Sequence, residues 1–484
     1  MYRKHLIISL LLIVSLLTIS CLRVDEIEFI PFQVDFQAPT NVIIQEKIRF
    51  NPGEGTVGAQ SFLWEFGDAD STVSTDQNPE FSYDTLGFFT VKLTAKIQKS
   101  KGLQEGFFTR NIRVLPASDT LLEINTLGTT SSDEIPQDFY VKKENQEYLL
   151  LGRKNLNTLT IYTLNNNLNI KHQKEISNLA SGQIFGKVIR STSDQGILVV
   201  GYVQSSLDEN DAFIVKLDSL GNFSESSWQK VITSIKNEVY NSIIESINGL
   251  DTSYFAIGTV FNLASPTILI DRYSPQGVLL NSQSFENQCN NCKANAAILI
   301  PNEQENTLII AGNLINAPTL FKFTLKNQVA VLEDRSFVNI KGEGLVVKQL
   351  SDGKFTLAGS INSGTDSTRA FIAKLDVVSQ GVIPAWVTEV AVYRENFLDI
   401  SEDTEGDILV LGNHFNPISQ ADALLVRLDT FSGRVKKINL LGGYGMQSGL
   451  RIWNNQNNLH LIGSQITDAG FGFRDIIVGK IPLN

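Results

Sequence analysis

Gly196-Ile-Leu-Val-Val-Gly201, followed after a polar loop by Asp211-Ala-Phe-Ile-Val-Lys-Leu-Asp218, is the stretch that decides the fold. Its first half is an uninterrupted apolar run closing on glycine, as expected of a strand covered on both faces. Its second half is another apolar strand closing on Lys-Leu-Asp. The phrase occurs seven times between Leu149 and the C-terminus, anchored on Gly152, Gly201, Gly258, Gly312, Gly359, Gly412 and Gly463, with separations of 49, 57, 54, 47, 53 and 51 residues. A period near fifty residues with several short strands per unit is the signature of a propeller blade.

Two further strands complete each unit. A strand such as Gly344-Leu-Val-Val-Lys348 precedes the anchoring run, joined to it by a turn such as Ser351-Asp-Gly-Lys354, rich in the residues a hairpin needs. An outer strand such as Trp228-Gln-Lys-Val231 follows a second, glycine-containing turn. Trp228 and Trp386 each stand 27 residues after their glycine, and this recurrence marks them as blade packing. The last unit ends at Asn484 without an outer strand, while Leu121-Leu-Glu-Ile-Asn-Thr-Leu-Gly128, ahead of the first unit, echoes Lys437-Ile-Asn-Leu-Leu-Gly442. The expectation is that this N-terminal strand completes the seventh blade and removes the exposed edges of an open stack. The phrase is similar to that of bacterial seven-bladed propellers of the PQQ-repeat, SBBP and delta-60 kind. Units one, four and seven depart from it most, with Asn165-Asn166 and Lys326-Asn327 replacing the Leu-Asp ending in the first two of these.

Residues 31–115 form a separate module. Trp64-Glu-Phe-Gly-Asp68, Asn78-Pro79 and Tyr83-Asp-Thr-Leu-Gly-Phe-Phe-Thr-Val-Lys-Leu93 stand in the order of a PKD domain, which they resemble. The resemblance implies an immunoglobulin-like sandwich, with spacing and adhesion rather than chemistry as its task. Independently of it, Thr90 to Ala95 alternates apolar and polar with period two, as a half-buried strand does. The fold class expected is therefore all-β: a PKD-like sandwich at 31–115 followed by a seven-bladed β-propeller at 119–484.

The first twenty residues read as a signal peptide, with Arg3 and Lys4 ahead of an apolar run from Leu6 to Leu17. Thr18-Ile-Ser-Cys21 resembles a lipobox, which implies lipidation of Cys21 and anchorage on a membrane. Residues 21–30 would be a tether. The acidic opening after Cys21 is similar to that of surface-exported lipoproteins of Bacteroidota-type bacteria, which implies the outer membrane or cell surface. Without the first twenty residues, which hold two basic residues and no acidic one, the 40 basic residues fall to 38 against 51 acidic, a net of −13. Such a surface argues against nucleic acid as a partner.

No catalytic constellation is legible. His172, His414 and His460 fall in different units without metal-ligand spacing, and no Gly-x-Ser-x-Gly elbow is present. Asp68, Asp70 and Asp76 read as a solvated turn rather than a calcium loop. Thr192-Ser-Asp-Gln-Gly196 opens like a sialidase Asp-box but lacks its Thr-Trp ending and reads as a hairpin turn. Cys289-Asn-Asn-Cys292, in an exported chain with no second pair, reads as a structural disulfide. Trp453 has no counterpart in the other units, and with Tyr444 nearby it is the candidate ligand contact. No metal or cofactor is expected. The combined reading is a non-catalytic, lipid-anchored surface protein that binds a protein or carbohydrate ligand. The alternatives are a propeller enzyme acting on extracellular glycans, or a structural subunit of an envelope complex.

Overall fold

The structure, a computed structural model, describes residues 32–482 apart from 40, 44–45, 69, 84–86, 100–101, 116–122, 128–131, 143–146, 178, 180, 207–208, 234–235, 250, 262–264, 303, 363–367, 379–380, 391–394, 415–421, 442–446, 456–457 and 467–473. It divides into two units, Met1–Val114 and Leu115–Asn484. Both are built of strands, and the one helical element among the described residues is a single 3-10 turn at Glu54–Thr56.

In the N-terminal unit the strands Asn41–Ile43, Gly102–Leu115, Gly87–Lys99, Ser61–Glu65 and Val73–Ser74 form one sheet in that order, accompanied by two short two-stranded pairs. Its core gathers around Trp64, which is wholly buried with Phe36, Phe50, Phe66 and Tyr83. The two polar tips in this core are satisfied. Trp64 Nε1 donates to the Asp76 carbonyl at 3.0 Å and the Tyr83 hydroxyl to the Phe66 carbonyl at 2.9 Å. Gly67 sits at φ +73° with the Thr90 carbonyl where a Cβ would go, so this turn requires glycine.

In the C-terminal unit seven four-stranded antiparallel sheets follow one another along the chain. Blades 1 to 6 span 134–177, 183–231, 237–284, 292–337, 342–390 and 395–441. Blade 7 takes Gln447–Asn455, Asn458–Ile466 and Arg474–Pro482, and its outermost strand is Glu123–Leu127, which pairs with Arg474–Pro482. The first strand of each blade touches the first strand of the next, and that of blade 7 touches that of blade 1. This is a β-propeller, and the strand ahead of the first unit supplies the last blade's outer edge.

The continuous apolar strands follow from this arrangement. Ile197, Val199 and Val203 pack with residues of blade 1, whereas Leu198 and Val200, on the other face of the same strand, pack with Tyr240 and Tyr254 of blade 3. Every described core cluster of this unit likewise joins two neighbouring blades. The outer-strand tryptophans act between blades as well. Trp228 covers Gly277 (φ +79°) of the next blade and donates to Pro275 O at 2.8 Å, and Trp386 covers Gly433 and donates to Thr430 O.

The anchoring glycine is not the end of its strand: Ile197–Ser206 runs five residues past Gly201. Its role lies in the register. In every blade the glycine pairs with the innermost strand at the residue just before a β-bulge, as in Gly186↔Gly201 and Ala294↔Gly312, with Lys187 and Asn295 as the extra residues. The bulge drives a carbonyl of the innermost strand against the glycine. A Cβ would lie 2.0 Å from Phe185 O at Gly201, 1.8 Å from Val239 O at Gly258 and 1.8 Å from Lys293 O at Gly312.

The Lys or Arg of the phrase is equally structural. Lys216 and Lys374, with side chains only 4% exposed, pair with Asp194 and Asp352 in the turn of their own inner hairpin. Arg427 pairs in the same way with Asp407 at 2.8 Å, and Arg272 with Asp251 at 2.9 Å. Asn165 takes over the task of the missing Asp in blade 1. Its Oδ1 accepts the amides of Asn167 and Asn169, as Asp218 Oδ1 accepts those of Leu220 and Asn222.

Candidate functional site

The innermost strands carry the polar residues nearest the propeller axis. The extra residues of the seven bulges are Gln137, Lys187, Asn241, Asn295, Leu345, Leu398 and Leu450, all half-buried. Blades 1 to 4 thus contribute polar groups to this layer and blades 5 to 7 leucines. Two of the polar groups clamp adjacent blades together. Asn241 Nδ2 donates to Ala294 O at 2.7 Å, and Asn295 Nδ2 to Gly344 O at 2.8 Å.

One residue further along lie Asp138, Asp399 and Arg451. Asp138 is fully buried; its Oδ2 accepts Ile189 N at 2.9 Å and Arg190 at 2.6 Å, and its Oδ1 accepts Arg451 Nε at 2.8 Å. Asp399 Oδ2 accepts Ile452 N at 2.8 Å. Burial pushes both carboxyl groups upward. At Asp138 the guanidinium groups of Arg190 and Arg451 outweigh burial and hold it below the ordinary range, while at Asp399 burial prevails over Arg451 and Lys348 and the group is raised. Two carboxyl groups moved apart around one arginine are a known acid/base arrangement. Here, however, Asp138 and Asp399 occupy the same repeat position and make the same bond to the equivalent amide of the next blade, which is the behaviour of an inter-blade clasp.

A second recurring clasp uses the residue after the anchoring glycine. Thr259 Oγ1 accepts Ala294 N at 3.1 Å, and Asn413 Oδ1 accepts Gly449 N at 2.8 Å. In blade 4 the equivalent Asn313 Oδ1 is buried without a partner, and blades 1 and 2 carry Arg153 and Tyr202 in place of a short acceptor. The Arg153 guanidinium lies 4.4 Å from the centre of the Phe185 ring, Phe185 stacks on Tyr202 at 4.8 Å, and Lys187 Nζ lies 5.5 Å from the Tyr202 ring. Arg153 Nε and Nη1 are buried without a hydrogen-bond partner. Neither Arg153 nor Lys187 has an ion-pair partner among the described residues. Burial lowers the pKa of both; Arg451 and Arg153 lower that of Lys187 further, while at Arg153 the neighbouring Tyr202 and Asp133 offset part of the lowering and Arg474 adds to it. Desolvated cations with donors to spare, lying over an aromatic pair, suit an anion that carries an apolar face.

The residues singled out from the sequence lie elsewhere. Trp453 is on the innermost strand of blade 7 but only 8% exposed, stacked on Phe139 at 4.1 Å and packed against Tyr148 and His460. The ring of Trp453, the expected ligand contact, belongs to the core joining blades 7 and 1, while its Nε1 is buried without a hydrogen-bond partner. Its lack of a repeat counterpart reflects packing at the joint where the two ends of the chain meet. Tyr444 and Cys21 lie outside the described residues. Cys289 and Cys292 are buried and joined by a disulfide. His414 is buried against Glu395 at 3.1 Å, and His172 lies exposed on an outer strand. Asp68 caps its own turn through the amide and hydroxyl of Thr72. Among the described residues no group of three or more His, Cys, Asp and Glu could hold a metal ion.

Arg153 and Lys187 carry a signal that the sequence holds once the register is known. They are the positions at which blades 1 and 2 abandon the residue types used by their sisters. Without the bulge positions, neither residue can be aligned with its counterparts.

No family model matches the chain, and no curated protein matches it. Among solved structures, a quinonprotein alcohol dehydrogenase-like protein from Bacteroides thetaiotaomicron is similar over 84% of this chain and 94% of its own, at 12% identity and a TM-score of 0.37. A glucose dehydrogenase is similar over 74% and 99% at 9% identity and a TM-score of 0.35. A xylan β-1,4-xylosidase from Bacillus halodurans is similar over 73% and 95% at 10% identity and a TM-score of 0.31. The chain is an all-β protein whose C-terminal unit is a β-propeller.

Proposed function

We propose that this is a non-catalytic surface protein whose propeller recognises an acidic glycan at the cluster of Arg153, Phe185, Lys187 and Tyr202. The observation that carries the reading is the pair of cations without ion partners over an aromatic stack, in a chain whose net charge is −11. A uronic acid residue offers the carboxylate for Arg153 and Lys187 and an apolar ring face for Phe185 and Tyr202. In this reading lipidation of Cys21 anchors the chain on the cell surface, and the N-terminal unit, a PKD-like module by its motifs, acts as spacer.

The test is equilibrium binding of polygalacturonate to the full chain, with neutral dextran as control. Polygalacturonate is expected to bind in a salt-sensitive manner. Lys187→Gln and Arg153→Gln should each weaken it by about tenfold to a hundredfold, the loss of one charge-assisted hydrogen bond. Equal affinity for polygalacturonate and dextran, or full affinity in both variants, would refute the reading. Stronger binding of polyglutamate would assign the cluster to an acidic peptide instead.

The second reading is a glycan-acting enzyme, and although Asp399 bonds the next blade as a clasp, its carboxyl, raised by burial, is the residue to test. Release of reducing ends from any glycan by the purified chain, abolished in Asp399→Asn, would establish it and overturn the first.

A further inference from the structure

Between blades 3 and 4, where their inner hairpins turn, lies a cavity of about 220 Å³ whose polar walls are Asn248, Asn302, Gln304, Asn306 and Gln328. No charged side chain lines it, and Ile247 and Leu325 border it while exposing almost no apolar surface to it. Asn306 is fixed, its Oδ1 accepting Asn302 N at 3.2 Å and its Nδ2 donating to Ser246 Oγ at 3.1 Å.

Gln328 stands out on two independent counts. Its side chain is 6% exposed, yet neither its amide nitrogen nor its amide oxygen has a hydrogen-bond partner. Its backbone is also in the left-handed region, at φ +64°, beside Asn327 at +48°. The two residues form a two-residue hairpin turn between Ala317–Lys326 and Val329–Phe337, closed by the pair Lys326↔Val329. In such a turn the second position ordinarily belongs to glycine, and a long side chain there strains the backbone. The chain thus keeps a residue in the left-handed region at the wall of a polar cavity, with a buried amide that lacks a hydrogen-bond partner. Strain retained at one position and a buried polar group without a partner are both features of binding sites.

We infer that this cavity is a binding site for a single neutral sugar ring. A primary amide donates and accepts at once, as a hydroxyl does, so a wall of amides matches a ring of hydroxyl groups. The absence of Lys, Arg and His from the lining disfavours an anion, and the absence of carboxylates a cation. The volume, below the range of drug-sized pockets, suits one ring held by its hydroxyl groups. The site is distinct from the Arg153 cluster and does not depend on the function proposed there.

The test uses the full chain, with methyl glycosides of glucose, galactose, mannose and N-acetylglucosamine as probes in saturation-transfer NMR at millimolar concentration. Transfer to at least one glycoside is expected. It should fall about tenfold or more in Gln328→Gly, since a site built to hydrogen-bond hydroxyls discriminates strongly through such groups. Gln328→Gly should meanwhile melt no lower than the wild type, because glycine relieves the left-handed strain. Asn302→Ala with Gln304→Ala, on the exposed lip, should reproduce the loss without touching the turn. Absence of transfer to all four glycosides, or undiminished transfer in Gln328→Gly, would overturn the inference; both results are independent of polygalacturonate binding.

Discussion

Alanine at Gly258 and alanine at Gly152 should differ sharply, although the repeat makes the two glycines equivalent. A Cβ at Gly258 would lie 1.8 Å from Val239 O and 2.8 Å from its carbonyl carbon. Resting contact requires about 3.5 Å, so the innermost strand would have to retreat by about 1.5 Å. It would do so between blades packed at the density of a crystal. Overpacking against side chains costs about 1–3 kcal/mol. Here the obstacle is backbone held in a sheet, so about 3–5 kcal/mol is appropriate. Alanine returns about 0.4–1 kcal/mol by restricting the unfolded chain, leaving a net loss of about 2–4 kcal/mol. At Gly152 the nearest atom is Ile476 Cδ1 at 2.9 Å, the end of a flexible side chain, and Ile135 O is a comfortable 3.8 Å away. The net change there should stay within about 1 kcal/mol. The unit from Leu115 to Asn484 is large, and at about 2.1 cal/mol/K per residue the Gly258→Ala loss lowers Tm by only about 3–5 °C. The urea midpoint at constant m-value is therefore the better measure. Equal destabilisation by both substitutions, or a Gly258→Ala midpoint equal to that of the wild type, would refute the bulge as the reason for the glycine repeat.

Other consequences can be checked alongside. Asp138→Asn removes the carboxylate between Arg190 and Arg451 and should cost about 3–5 kcal/mol near neutral pH. Because the folded-state pKa of Asp138 is depressed, its stabilisation is present above about pH 4 and is lost as pH falls further. The gap in melting temperature between wild type and Asp138→Asn should accordingly narrow as pH drops below 4. Asp194→Ala leaves the buried Lys216 ammonium without its carboxylate and should destabilise by about 1–3 kcal/mol, whereas Lys216→Met should be nearly neutral, as urea unfolding of the two would show. A chain starting after Leu127 exposes the edge of Arg474–Pro482 and should self-associate in size-exclusion chromatography, while the full chain does not.

The sequence revealed the architecture because each blade must satisfy the same physical constraints. Strands covered by two neighbours have to be apolar at every position, a hairpin turn needs Asp, Asn or Gly, and in six of the seven blades the glycine opposite the bulge admits no Cβ. These demands leave residues that can be counted, and the strand at 123–127 could be matched to the last blade because an outer strand repeats as well. The lysine of Lys-Leu-Asp was visible as a repeat, but its reason was hidden. The register places Arg272, one residue beyond Asp271, at the position of Lys216, and that alignment is fixed only by strand pairing. Trp453 is the opposite case: it is unique because the joint between blades 7 and 1 is unique, and its uniqueness has a packing cause.

A departure from the repeat therefore becomes informative only after its structural causes are removed. Asn165 differs from Asp218 but makes the same pair of turn bonds, and it can be set aside. Asp399 looks catalytic until Asp138 is seen to make the same bond two blade pairs further round. Arg153 does not pass this filter, because Thr259 and Asn413 at its position satisfy an amide of the next blade while Arg153 keeps buried donors unused. Gln328 does not pass it either, since a glycine in its turn would fold with less strain and its own amide bonds to nothing. Structural need accounts for nearly every other deviation considered, so these two positions are where a ligand has the most to explain.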